Sequence, residues 1–296
     1  MSAFFLGNIT TTTIVTAEII GQLNKFKLLN CSNVYCHVHS ILMNLVENKE
    51  LLDGFELRCY HCGNRNIKSI RTGSWFEGHH FSIATGIHII NLLQAHAITD
   101  CIEKVCSVSR QTIYNIYHDL TARMAKYNEL HRPHFKCESV MEIDESKMKW
   151  KVDHDNVDCI DECEEGEGEW LLGLVERNTG VCWIELIQDR SKDSIIPPIH
   201  SMIDKKASII TDALETYNLL DNEYRHHVIN KTKEGFARLG PTRSLSIHVN
   251  TSESLWSKLR AFSRAKKHNN VNSVHRIVHE FIFDRFNLSF FDLIIL

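Results

Sequence analysis

Long apolar runs are missing from this chain. Its most apolar stretch, around 81–97, is broken by His88, Gln94 and His96. That is too short and too polar for a helix crossing about 30 Å of hydrocarbon, so no membrane span is expected. Residues 1–23 are fairly apolar but contain Glu18 and lack a basic start, so no secretory leader is expected. Internal repeats and long low-complexity segments are absent, and the chain does not read as an array. A strong net charge is lacking too: 33 Lys and Arg face 37 Asp and Glu, a formal charge of -4. That deficit is local. Residues 153–169 hold nine acids (Asp153, Asp155, Asp158, Asp161, Glu162, Glu164, Glu165, Glu167, Glu169) and neither Lys nor Arg. Outside that run 33 basic residues outnumber 28 acidic ones, a net of +5, which suits a surface facing phosphates.

What is present is a globular balance: 43% apolar and 24% charged over 296 residues, a length that suggests about two domains. Ten cysteines without a leader point to a reducing compartment and to metal binding rather than disulfides. Four segments are expected. Residues 1–80 carry Cys/His pairs, and residues 81–127 are helical. Residues 128–137, with Pro133 and clustered His, read as a linker, and residues 138–288 change to short β runs followed by helices. Within the last segment the pattern reads as a strand at 139–150, a hairpin around Asn178-Thr-Gly180, a helix at about 192–204, a strand at 207–211, a short helix from Ala213, a strand at 224–229 and a long helix from about Thr251. That order describes a mixed sheet with helices packed on it, an α/β fold.

The N-terminal segment contains Cys36-His-Val-His39, then nineteen residues, then Cys59-Tyr-His-Cys62 followed by Gly63. Two such pairs fit a tetrahedral Zn²⁺ held by three thiolates and one imidazole, Cys36, His39, Cys59 and Cys62. His37 or Cys31 could stand in for His39. Cys159 and Cys163 form a second pair in the acidic run and read as incidental. Residues 98–123 have the layout of a helix-turn-helix, with a turn at 106–108 and Ser109 capping the second helix. There Ile113, Ile116, Tyr117 and Leu120 recur at helical spacing and should face the core. Arg110, Gln111, Tyr114, Asn115 and His118 then face outward, and such side chains read base edges or hold phosphates.

Three acids stand in suggestive surroundings. Asp144 lies in Val140-Met-Glu-Ile-Asp-Glu-Ser146 and Asp212 in Ala207-Ser-Ile-Ile-Thr-Asp-Ala213, each after an apolar, β-branched run that reads as a strand. Glu253 opens a helical pattern in His248-Val-Asn-Thr-Ser-Glu-Ser-Leu-Trp256. Adjacent strand ends bring carboxylates within bridging distance of a cation, and Mg²⁺ takes oxygen ligands. Asp144 and Asp212 fit bridging roles and Glu253 a third ligand. Arg260, seven residues beyond Glu253 on the same helical face, suits a DNA phosphate. Singly, each acid could be an ordinary helix cap or first-turn acid.

The ordered set of Glu142-Ile-Asp-Glu-Ser146, the hairpin Leu172-Gly-Leu-Val-Glu-Arg-Asn-Thr-Gly180, Asp189-Arg-Ser191, Ile210-Thr-Asp212 followed by Tyr217, and His248 to Trp256 resembles the Merlin-type DDE transposases and their insertion-sequence relatives with an ISXO-type domain. The likeness covers about residues 138–288. It implies an RNase H-like catalytic fold with Asp144, Asp212 and Glu253 binding Mg²⁺ or Mn²⁺. It also implies a structural Zn²⁺ in a ribbon, and His248 and Asn250 at the active-site edge. His279-Glu-Phe281 and Arg285 resemble the family's closing helix. The implied partners are transposon terminal inverted repeats and target DNA, handled by a homo-oligomer. The location would be the nucleus in a eukaryotic host, or the cytoplasm with the nucleoid in a bacterial one. Three departures stand out: Val249 replaces a Thr, Arg260 a Lys, and the acids of 153–169 a basic segment. The alternative to an active transposase is a catalytically inactive or domesticated DNA-binding derivative.

Overall fold

The computed structural model describes residues 6–151, 159–162, 168–230, 238–239, 246–265, 274–286 and 288–295. Most of the acidic run at 153–169 lies outside the described residues, as does Cys163. The chain divides into two compact units, residues 1–123 with 288–296 and residues 124–287. Among the described residues no helix is long and apolar enough to cross a membrane.

In the first unit, α1 (Ala17–Lys25) precedes an antiparallel ribbon of β1 (Asn44–Glu47), β2 (Phe55–Cys59) and β3 (Gly63–Ser69). Gly63, at φ +55°, makes the tight turn between β2 and β3 that an L side chain would resist. Then come α2 (Ile83–Gln94), α3 (Thr99–Cys106) and α4 (Arg110–Leu130). Ser107 takes a left-handed conformation, φ 52°, which ends α3 and redirects the chain into α4. On α4, Ile113, Ile116, Tyr117 and Leu120 are all buried, as helical spacing requires for the inward face. A buried ion pair fastens the ribbon to the helices. Asp53 accepts from Arg71 Nε at 2.6 Å and from the Ile83 N–H at 2.8 Å, at the start of α2. The remaining Arg71 nitrogens donate to the carbonyls of His79 and Phe81 at 2.6 and 2.8 Å. α4 itself runs on to Leu130, through the first residues of the segment expected as a linker.

The second unit is built on β4 (Val140–Lys151), β5 (Cys159–Glu162), β6 (Glu169–Glu176), β7 (Cys182–Ile187), α5 (Lys192–Met202), β8 (Ser208–Thr211) and β9 (Arg225–Val228). The sheet order is β7-β6-β4-β8-β9, with β5 paired to the far end of β4. β7, β6 and β4 are antiparallel neighbours, while β8 and β9 run parallel to β4. A three-strand meander continued by two parallel strands on its first strand is the RNase H-like arrangement. Met141, Ile143, Leu171, Leu172 and Leu174 have no exposure, so the central strands are buried on both faces. α6 (Asn250–Ala265) packs across β4, β5 and β6, and α7 (Val274–Arg285) packs on β7 and β4. Arg285 Nη2 donates to the Gly180 carbonyl at 2.9 Å and so holds the β6–β7 hairpin.

Candidate active site and Cys/His cluster

Strand register decides where the first two acids stand. In the parallel β4–β8 ladder Val140 faces Ser208, Met141 faces Ile209 and Glu142 faces Ile210. The paired residues end there, two before Asp144 on β4 and two before Asp212 after β8, so the same register continued would put these two acids level. β4 does not end there; it runs to Lys151, and Asp144 marks instead the point where its parallel neighbour stops. Asp212 closes a turn after β8, its Oδ1 accepting the Leu214 N–H at 3.0 Å. Beside it, Thr211 Oγ1 meets His226 Nε2 at 2.9 Å and His226 Nδ1 meets Asp221 Oδ1 at 2.6 Å. His226, without an evident role in the sequence, thus braces the end of β8.

Glu253 lies in the first turn of α6, whose seat on the sheet depends on contacts with the face of β4 that carries Asp144. Trp256 donates its indole N–H to Asp144 Oδ2 at 3.1 Å. The ring lies against Gly173, the antiparallel partner of Asp144. A Cβ at Gly173 would sit 2.7 Å from Trp256 Cζ2, so glycine is needed for this close approach. Glu142, two residues before Asp144 and fully buried, reaches the start of the same helix. Its Oε2 accepts the N–H groups of Thr251 and Ser252 at 2.7 and 3.1 Å, and its Oε1 accepts the Thr251 hydroxyl at 2.8 Å. Arg177 Nε donates to Glu142 Oε1 at 2.8 Å, and Arg177 Nη2 donates to the His248 carbonyl at 2.9 Å. His248 Nδ1 lies 3.2 Å from the same carboxylate, and Asn250 is exposed at the head of the helix. Val249 is buried with Ile210, Ile229 and Ile247, which explains an apolar residue at that position.

On the opposite face of β4 stands an acid for which no role was expected. Glu145 accepts from Tyr217 Oη at 2.6 Å and from Arg190 Nε at 2.9 Å. Burial pushes its carboxyl above the ordinary range, with Asp212 adding to the shift and Tyr217 and Arg190 opposing it. Arg190 also sits over the Trp170 ring at 5.2 Å, beside Lys147 at 5.4 Å. All three members of the Glu145 network fall inside the motifs that carry the family resemblance; that was their only signal.

The carboxylates of Asp144, Asp212 and Glu253 are oxygen donors of the kind a hard divalent cation takes. As a set of three they do not close to within 4.8 Å. Among the described residues one group does, and it is Cys36, His39, Cys59 and Cys62. Its Sγ–Nδ1 distances to His39 are 3.7, 3.5 and 3.2 Å from Cys36, Cys59 and Cys62, and Cys36 Sγ lies 3.8 Å from Cys62 Sγ. Asn66 Nδ2 donates to Cys36 Sγ at 2.9 Å. Burial would raise the Cys36 thiol, but the backbone N–H groups of His39 and Val38, with the His39 ring and Cys59, hold it below the usual thiol range, while burial and the two neighbouring sulfurs push Cys62 above it. Cys31 is engaged elsewhere, donating to the Ile70 carbonyl at 3.3 Å, and His37 faces Asn66. His39 is therefore the fourth member of the group.

The expected DNA-reading residues of α4 are exposed. Arg110 is paired with Asp100 at 2.6 Å and Glu103 at 2.9 Å, and Gln111 donates to Asn115 at 2.8 Å. Exposed ion pairs like these contribute little and can yield to a phosphate. Arg260 is half-buried on α6 rather than fully presented to solvent.

Residues 140–276 match the family model described as the ISXO2-like transposase domain, from β4 into the start of α7. No curated protein matches the chain. Solved structures that align with it include a pre-cleavage Mos1 transpososome (8% identity, TM-score 0.20), the Mos1 strand transfer complex (10%, 0.22) and the mariner Mos1 paired end complex with Mg (10%, 0.19). Each alignment covers 66% of this chain and 76%, 73% and 74% of the respective solved chains. Over residues 140–276, the stretch that carries the mixed sheet, the chain is thus similar to the ISXO2-like transposase domain family.

Proposed function

We propose that this transposase-domain protein is an active DNA transposase of the Merlin type, with Asp144, Asp212 and Glu253 as its metal-binding acids. The single observation that carries the reading is the β4–β8 register, whose last pair lies two residues before both Asp144 and Asp212, together with the Trp256 bond that links the helix of Glu253 to Asp144. When bound, a pair of Mg²⁺ or Mn²⁺ ions would supply an activated water or 3′-hydroxyl and charge stabilisation for an in-line displacement at phosphorus. Asp144, Asp212 and Glu253 would hold that pair, and a set of acids serving two ions need not crowd within one ion's shell. His248 and Asn250 border the site at the head of α6. Arg110, Gln111 and Asn115 on α4 would contact terminal-repeat DNA, and Arg260 a phosphate. Handling two ends calls for a homo-oligomer.

The Cys/His cluster would hold a structural Zn²⁺. With Zn–S about 2.3 Å and Zn–N about 2.1 Å, a tetrahedral site has S···S edges of about 3.8 Å and S···N edges of about 3.6 Å. The separations of 3.8 Å between sulfurs and 3.2–3.7 Å from sulfur to ring nitrogen lie near those edges, Cys62–His39 being the short one. Asn66, bonded to Cys36, supplies an outer-shell donor of the usual kind.

The acids of 153–169 favour a second reading, an inactive derivative that only binds DNA. One assay separates the two. Purified protein is mixed with labelled DNA carrying the element's own ends and Mg²⁺, and scored for binding, nicking and joining. Nicking and joining that Asp144→Asn abolishes, with end binding retained, are expected. Binding without nicking in the unaltered protein supports the derivative, and nicking that survives Asp144→Asn refutes the acid assignment.

A further inference from the structure

The N-terminus of α6 is pinned by an acid that the triad does not include. We infer that Glu142 is a positioning residue: it clamps the first turn of α6 so that Glu253 is held in register with Asp144. This rests on the proposed metal-binding role of those two acids.

Glu142 and Asp144 share one face of β4, so a rigid strand links the clamp to the first metal-binding acid. The Glu142 carboxylate is wholly buried, which demands full hydrogen bonding. It receives three donors from Thr251 and Ser252, the residues immediately before Glu253, and a fourth from Arg177. Helix N-terminal N–H groups lack partners inside the helix, and a negative charge there is favoured by the dipole. Here the cap is supplied from a strand more than a hundred residues upstream, at separations of 109 and 110 positions. The helix start cannot slide along the sheet without giving up these bonds. Arg177 extends the clamp, since it also holds the His248 carbonyl on the approach to the helix. Trp256 fixes the next turn against Asp144 itself. Glu253 lies between the two attachments and inherits its position from them.

The test is Glu142→Gln, which keeps the shape but loses the charge and one acceptor oxygen. Two readouts are taken on the full chain: hydrogen exchange of the Thr251 and Ser252 amides, and Mn²⁺ binding followed by the spectrum of free Mn²⁺. Exchange at the two amides should quicken about ten-fold or more. The Mn²⁺ concentration for half-occupancy should rise about ten-fold, as when an outer-shell partner is lost. Simple destabilisation would reduce the amount of folded protein without moving that midpoint. Should Glu142→Gln fail to fold, Thr251→Ala removes only the hydroxyl bond and must move the midpoint the same way by a smaller factor. Unchanged exchange overturns the clamp, whether or not Mn²⁺ binds. Faster exchange with an unmoved midpoint overturns the positioning role. A wild-type chain that binds no Mn²⁺ at these acids overturns the metal reading, and the positioning role falls with it.

Discussion

Replacing Gly173 by alanine adds one methyl group where Trp256 lies on the sheet. The new Cβ would meet Trp256 Cζ2 at 2.7 Å, Trp256 Cη2 at 2.9 Å and Leu255 Cδ2 at 3.1 Å. Comfortable carbon contacts begin at about 3.5 Å, so the ring must retreat by roughly 0.8 Å. It has little room, because Trp256 and Leu255 are both buried and Gly173 lies on a strand paired on both sides. Overpacking of this kind destabilises by about 1–3 kcal/mol. For a unit of this size each kcal/mol lowers Tm by about 2–4 °C, so a drop of roughly 2–12 °C is expected. The same retreat stretches the 3.1 Å bond from Trp256 to Asp144, and metal-dependent nicking should weaken along with stability. Trp256→Phe removes both the clashing ring edge and the N–H. The two changes act on one contact, so the double variant should be less destabilised than the sum of the singles by at least about 0.5 kcal/mol. Calorimetry and urea titration of the four proteins decide it. An unchanged Tm in Gly173→Ala, or strictly additive effects, refutes the packing of Trp256 on the strand.

Asp53→Ala leaves Arg71 buried without its carboxylate and should destabilise by about 3–5 kcal/mol in denaturant titration; a loss under 1 kcal/mol would contradict the buried pair. His279 is buried beside His275, and burial first, then that neighbour, hold its pKa down to about 4. The unfolded chain takes up a proton near pH 6.5 while the folded chain does not, so stability present above pH 6.5 should fall by up to about 3 kcal/mol as pH drops toward 4. His279→Asn should flatten that slope, and an equally steep profile in the variant would count against it. Atomic absorption should find one zinc per chain, lost in Cys59→Ser; a variant that keeps its zinc would exclude this thiol as a ligand.

Local chemistry made a good part of this protein legible. The two-residue gaps of Cys36/His39 and Cys59/Cys62, the turn at 178–180 and the inward stripe of α4 follow from rules that act within a few residues. They need no knowledge of distant chain, and the strand–hairpin–helix–strand order follows from them. The choice of His39 over His37 and Cys31 was not legible, because all three can reach a metal in sequence while only the folded ribbon orients one ring toward the thiols. The Asp53–Arg71 pair, the His226 bridge and the Glu145 network were hidden for a similar reason. Each joins side chains brought together by chain crossings rather than by spacing.

The three acids divide in the same way. Sequence alone determined which carboxylates precede turns and open helices, since β-branched runs and first-turn acids are local signals. Tertiary structure decided that Asp144 stands inside a longer strand, two residues beyond the last β4–β8 pair, and that Glu142 and Trp256 bond the helix of Glu253 to that strand. Helix seating depends on hydrogen bonds between residues 109 and 112 positions apart, and no local pattern encodes which distant donor a buried carboxylate will meet.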